Sequence, residues 1–218
     1  MLKHFGFGRF PGNPAMCNRC IYQFRKMGIT GAEIPISLLF ADIRGSTGIG
    51  ERLSPTAFRA FLTRLYEIGS ETILANNGLV DKLVGDEVIG LFFGGVSGQR
   101  HAAAAIDAAL DLLARAGAPD ATPMGPIPLG AAVHTGEAYV GATGPVGVVD
   151  DFTALGDAVN TTARLASSAA AGELLVSNVA AEAAGRGDPS VERRHLDVRG
   201  RQDPIDVIVL HPGVAAAR

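Results

Sequence analysis

The sequence predicts an α/β (α+β) domain with a ferredoxin-like β-α-β-β-α-β core and C-terminal additions. Three observations predict it. Apolar runs of strand length alternate with helical periodicity in the order strand, helix, two strands, helix, strand. The two middle strands are separated only by Gly85-Asp86-Glu87, which reads as a tight hairpin with acids at its tip. Finally, 218 residues, 47% hydrophobic and 19% charged, hold enough apolar material for a real core, and suit one domain with an appendage or at most two small ones.

Taken in order, residues 1–34 read as an N-terminal extension. They are irregular through Pro14, and Cys17 to Met27 reads as a short helix ended by Gly28. Residues 35–218 are the main domain. Ile36–Ala41 is a buried-type strand that ends on Asp42. Ser54-Pro55 is an N-cap with proline at the first helical position. Phe58, Phe61, Leu62, Leu65, Ile68 and Ile73 then keep helical spacing as far as the Asn76-Asn77-Gly78 stop. Leu79–Val84 and Val88–Phe93 form the hairpin. Gln99–Arg115 is a second helix, with Ile106, Leu110 and Leu113 on one face. Leu129–His134 and Glu137–Val140 read as two strands around Thr135-Gly136, with His134 as a packing or hydrogen-bonding residue. A third helix lies within 154–170. A strand at Glu173–Ser177, a helix at Val179–Ala184 and a closing hairpin around Arg199-Gly200-Arg201 complete the chain.

Composition excludes several classes. The net charge of −3 gives no basic field for nucleic acid. No run approaches the 18 or so apolar residues of a membrane span, and Met1–Met16 lacks a signal-peptide core, so the expectation is a cytoplasmic protein without membrane insertion. Two cysteines make no disulfide framework. Cys17-Asn18-Arg19-Cys20 has the spacing of half a zinc site or of a redox pair. A second copy of the chain would have to supply the missing zinc ligands, and the βαβ setting of a thioredoxin-like pair is absent.

Three groups of residues have the makings of a site. Asp42 and Asp86 each follow an apolar strand. Two carboxylates at adjacent strand ends, completed by phosphate oxygens, suit Mg²⁺, although turn aspartates look the same in sequence. Gly45, Ser46 and Thr47 are small enough to bring backbone N–H groups close to a phosphate, or simply lead to the next helix. Asn160 and Arg164, four apart on a helix, share a face. Such an arginine can clamp phosphate and such an asparagine can orient a ribose, or both can be a solvated polar face. Lys82 is equally an exposed strand lysine, and Arg199 and Arg201 touch phosphate or keep a hairpin soluble.

Together, Phe40-Ala41-Asp42-Ile43-Arg44-Gly45-Ser46-Thr47, Lys82-Leu83-Val84-Gly85-Asp86 and Asp151-Phe152-Thr153-Ala154-Leu155-Gly156-Asp157-Ala158-Val159-Asn160 through Arg164 resemble the three signature blocks of the class III nucleotidyl cyclase catalytic domain. The resemblance extends from about Ile36 to Leu210. It implies that Asp42 and Asp86, with the Ile43 carbonyl, hold two Mg²⁺ or Mn²⁺ ions per site. It also implies that Lys82 and Thr153 read the purine, that Asn160 orients the ribose, that Arg164 stabilises the pentavalent phosphorus, and that Arg199 contacts the triphosphate. Lysine at the first purine position implies ATP, hence an adenylate cyclase. The family's sites lie at a dimer interface, so the resemblance implies a homodimer with two shared sites. Two departures stand out. Ser46 replaces a common phenylalanine, and Arg44 places a positive charge beside the metal site, where it would favour triphosphate or weaken metal binding. The rival readings are a guanylate or dual-specificity cyclase, a catalytically silent nucleotide-sensing module, and a ferredoxin-like interaction domain without nucleotide.

Overall fold

The computed structural model of the chain describes residues 9–10, 13–17, 19, 22, 26–27, 30–143, 151–188, 190–197 and 203–213. Strands β1 (Arg9–Phe10) and β2 (Asn13–Cys17) pair antiparallel as a separate two-stranded sheet. Cys17 therefore ends a strand where a helix start was expected. Cys20 and the Cys17 side chain lie outside the described residues.

The remaining strands form one eight-stranded sheet. They are β3 (Gly31–Ile43), β4 (Leu79–Val84), β5 (Glu87–Phe93), β6 (Leu129–Thr143), β7 (Asp151–Leu155), β8 (Leu174–Ser177), β9 (Arg193–Leu196) and β10 (Ile205–Leu210). The order is β4-β5-β3-β6-β8-β10-β9, with β7 also beside β6. The four strands β4, β5, β3 and β6 are the expected βαββαβ sheet, and all their pairings are antiparallel. Helices among the described residues include α1 (Ser46–Arg52), α2 (Pro55–Ala75), α3 (His101–Ala116), α4 (Asp157–Ser168) and α5 (Asn178–Ala183).

The apolar run of β3 is continuous because both its faces are covered. Leu39, Ala41 and Ile43 pack with Phe61, Leu65 and Ile68 of α2 and Ile106 and Leu112 of α3. Ile36, Leu38 and Phe40 point the other way, against Ile89, Leu91 and the Ala158, Leu165 and Ala166 side of α4. Each such fully buried Leu, Ile or Phe contributes about 1.5–3 kcal/mol. Helix α2 starts as its sequence requires: the Ser54 hydroxyl accepts from the Ala57 N–H, and Pro55 is the first helical residue. Such a cap is worth about 1 kcal/mol. The helix stops at Asn76, followed by Asn77 at φ 56°.

Two expectations about the main sheet are corrected. β6 is one continuous strand, not two. Thr135 and Gly136 pair with Ser37 and Ile36 in the β3 ladder, and the Ser37 and Thr135 hydroxyls share a 2.6 Å hydrogen bond. The glycine serves a crossing rather than a turn, since a Cβ there would lie 3.1 Å from the Ala158 Cβ of α4. His134 is thus in mid-strand, its Nδ1 2.8 Å from the Ser177 hydroxyl. Second, the block beginning at Asp151 opens with an unexpected strand, β7, paired with the far end of β6. Among the described residues, no helix is long and apolar enough to cross a membrane.

Candidate active site

Strand β3 carries Asp42 on the same face as Phe40 and next to Glu87 of β5. The β4–β5 turn carries Asp86, and the Ile43 N–H donates to the Asp86 carbonyl at 3.2 Å, tying the two acid-bearing ends together. Both turns use left-handed glycines, Gly45 (φ 68°) and Gly85 (φ 61°), a region disfavoured for other residues. Burial pushes Asp42 up to about 6, reinforced by the Asp86 carboxyl beside it and opposed by the Arg44 charge and the Ile43 backbone. Glu87 is also pushed up to about 6, by burial and then by the charges of Asp42 and Asp86. Carboxyls crowded this way take up protons unless a cation neutralises them.

That crowding fits a divalent cation. Two carboxylates and the Ile43 carbonyl are hard oxygen donors, the set that Mg²⁺ and Mn²⁺ accept while keeping positions for substrate phosphate. Among the described residues, no group of three His, Cys, Asp or Glu side chains is arranged to hold a metal, so the set depends on that carbonyl and on substrate. Beyond Asp42, Gly45 caps α1 without any side-chain hydrogen bond. The first N–H groups of the helix, at Ser46 and Thr47, are thus left to other acceptors.

Arg44 places its positive charge beside Asp42, as its position in the sequence suggests. Its guanidinium donates to Asp42 Oδ2 at 2.5 Å, to the Asp42 carbonyl at 3.3 Å, and to the Ser167 and Ala169 carbonyls at 2.9 and 3.3 Å. Its charge is directed at the Asp42 carboxylate and at the C-terminal carbonyls of α4, where cations are favoured. It therefore joins the Asp42 end of the sheet to the helix that carries Asn160 and Arg164.

Lys82 and Thr153 come from strands far apart in sequence and end in one polar group. The Lys82 ammonium donates to Asp151 Oδ2 at 2.8 Å, and the Thr153 hydroxyl donates to Asp81 Oδ2 at 3.1 Å. Asp81 was not singled out in the sequence. It stands at an irregularity in β4, where the register with β5 shifts between Val80 and Lys82. Its side chain is only 6% exposed and lies 3.8 Å from the Lys82 ammonium.

Asn160 is exposed and Arg164 half-buried on α4. Their side chains form no hydrogen bond or ion pair with any described residue, Asp42 and Asp86 included. Arg199 and Arg201 lie outside the described residues. The structure therefore brings Asp42, Ile43 and Asp86 together, brings Lys82 and Thr153 into one polar group, and leaves the Asn160–Arg164 pair outside the hydrogen bonds of both groups.

The profile of the "Adenylate and Guanylate cyclase catalytic domain" matches residues 32–211. An adenylate cyclase of Anabaena cylindrica is 30% identical over 157 residues, which are 68% of this chain and 31% of that protein. The chain thus spans about a third of that relative's length. The crystal structure of the guanylyl cyclase Cya2 superposes with a TM-score of 0.75 at 27% identity, over 85% of this chain and 96% of that one. The adenylyl cyclase CyaB of P. aeruginosa shares the fold at a TM-score of 0.74 and 24% identity, over 86% of this chain and 99% of that one. With the sheet order, the acid-bearing strand ends and the profile match in agreement, the chain belongs to the adenylate and guanylate cyclase catalytic domain family.

Proposed function

We propose that the chain is the catalytic domain of an adenylate cyclase, converting ATP to 3′,5′-cyclic AMP and pyrophosphate at sites shared between two copies. The observation that carries this reading is the meeting of Lys82 and Thr153 in one buried-edge polar group. A lysine ammonium donates to an adenine ring nitrogen, and a threonine oxygen accepts from the 6-amino group.

Asp42, Asp86 and the Ile43 carbonyl would hold Mg²⁺ or Mn²⁺, two ions per site in the fullest form. A cation bound there supplies Lewis acidity to the 3′-hydroxyl and the phosphates. The N–H groups of Gly45, Ser46 and Thr47 would face phosphate oxygens, with Arg199 as a further triphosphate contact. Asn160 orients the ribose, so that its 3′-oxygen bonds to the α-phosphorus as the bond to the pyrophosphate oxygen breaks. Arg164 donates to the phosphoryl oxygens as charge builds on them, and the hydroxyl proton leaves to solvent. Among the described residues of one chain, the Asn160 and Arg164 side chains make no hydrogen bond or ion pair with Asp42. A second copy that presents its α4 to the first copy's acids completes the site, and the reverse pairing makes a second one.

The test is product formation from ATP or GTP with Mg²⁺ or Mn²⁺, resolved by chromatography. Cyclic AMP that disappears in Asp86→Ala supports the reading. A folded dimer that yields only cyclic GMP moves the assignment to a guanylate cyclase, the activity named for Cya2. No cyclic product from either nucleotide moves it to a silent nucleotide-sensing module.

A further inference from the structure

We propose that Asp81 is a positioning residue for purine selection, fixing the Thr153 hydroxyl as a hydrogen-bond acceptor toward the base and so favouring a 6-amino over a 6-oxo purine. The inference rests on the nucleotide-cyclase reading and goes one residue deeper into the same pocket.

A threonine hydroxyl by itself is indifferent: it donates one proton and accepts twice. It would serve adenine's 6-amino group and guanine's 6-oxo group alike. Among the described residues its hydroxyl hydrogen-bonds only to acceptors, Asp81 Oδ2 at 3.1 Å and, at 3.5 Å, the Ala154 carbonyl. The proton is committed inside the chain, and only lone pairs remain for a ligand. A 6-amino group meets an acceptor, whereas a 6-oxo group meets oxygen against oxygen.

Asp81 is built for this task at a structural cost. Its Oδ1 is buried with no hydrogen-bond partner among the described residues. Such an orphaned buried oxygen is destabilising and rare in folded proteins. The β4 irregularity turns Asp81 and Lys82, consecutive residues, toward the same neighbour, β7. One carboxylate then sits between the two expected purine readers, Oδ2 toward Thr153 and Oδ1 3.8 Å from the Lys82 ammonium. Burial pushes Asp81 up to about 6, held from rising further by the Lys82 charge and the Thr153 hydrogen bond, with Asp151 acting in the opposite sense. Above that pH the carboxylate has no proton to give and can only accept.

The experiment measures kcat/KM of the full chain for ATP, GTP and inosine triphosphate, which carries the 6-oxo group without guanine's 2-amino group. Wild type, Asp81→Ala, Asp81→Asn and Thr153→Val are compared, together with the double variant Asp81→Ala/Thr153→Val. The expected result is a loss of about tenfold in the ATP-to-inosine-triphosphate ratio for Asp81→Ala, the size of one hydrogen bond gained or lost. No further loss is expected when Asp81→Ala is added to Thr153→Val. A general structural role would lower turnover of all three nucleotides together and leave the ratio alone. That outcome in a folded dimer overturns the proposal, as does an undiminished effect of Asp81→Ala in the Thr153→Val background. Direct binding of 3′-deoxy-ATP and 3′-deoxy-inosine triphosphate, followed by calorimetry, separates the two readings. Wild type that makes no cyclic product sinks the cyclase reading, while its binding ratio still decides the role of Asp81. Wild type that binds neither analogue overturns both. If Asp81→Ala fails to fold, Asp81→Asn, which keeps the shape and removes the fixed polarity, gives the deciding ratio.

Discussion

The two acid groups of the site differ in how their charge is met. At the end of β3 and β5, Asp42, Asp86 and Glu87 crowd one another, and their like charges add to burial in pushing Asp42 and Glu87 up to about 6. At the β4 irregularity, Asp81 is pushed by burial to about the same value, with Lys82 and Thr153 holding it down and Asp151 acting with burial. In the first group one arginine, Arg44, faces three acids, which leaves an excess of negative charge suited to a cation. The second is largely compensated within the chain and is suited to orient its neighbours. A similar pKa therefore accompanies different roles, and the causes tell them apart.

The largest effect that breaks or confirms this contrast is at the crowded acids. Asp42→Ala or Asp86→Ala should lower turnover by about a thousandfold or more, since the Lewis acid would lose its seat. Near-normal activity in either variant would remove the metal assignment. Next comes Arg164→Ala, which should cut kcat by about 10²–10³ with little change in KM, as expected for a contact that strengthens in the transition state. Mixing Asp86→Ala chains with Arg164→Ala chains should recover part of the wild-type rate, because one of the two sites in the mixed dimer is intact. No recovery in a verified mixed dimer would mean that the sites are not shared. At the compensated end the effects are smaller and concern preference. Lys82→Glu should reduce the ATP-to-GTP ratio by about tenfold or more, and an unchanged ratio would take Lys82 out of the purine pocket.

The smallest effect is on stability. Asp42 and Glu87 hold protons more tightly folded than unfolded, so the stability they lend is present below their ordinary range near 4 and is lost as pH rises through about 6. Thermal unfolding of the cation-free protein should therefore move down by a few degrees between pH 5 and pH 7.5. Mn²⁺ should restore it at pH 7.5 far more than at pH 5. Asp42→Asn should flatten the pH trend, and a trend unchanged by that substitution would mean that other groups cause it.

Much of this was legible in the sequence for a local reason. The Ser54 cap, the Asn76-Asn77-Gly78 stop and the β4–β5 hairpin depend on neighbours in the chain, and each is formed where its residues indicate. The acids at strand ends and the Asn160–Arg164 face follow from simple periodicity. Three features were hidden because their cause is distant. Thr135-Gly136 looks like a turn until β3 pairs across it and α4 crosses over it. Asp151–Leu155 is too short to announce a strand before β6 offers an edge. Asp81 gains meaning only when a shift of register turns it toward Thr153, 72 residues away.

By itself, then, the sequence determined most of the helices and the ferredoxin-like core, because caps, stops and periodicity act over one or two turns of chain, and its resemblance to the cyclase blocks nominated the candidate site residues. Only the tertiary structure decided which of those residues meet. It spent the Arg44 charge on Asp42 and the end of α4, left Arg164 without a partner among the described residues, and placed a buried carboxylate between Lys82 and Thr153. Hydrogen-bond direction and carboxylate repulsion act within a few ångströms, and strands 70 or so residues apart come within that range only once the sheet is assembled.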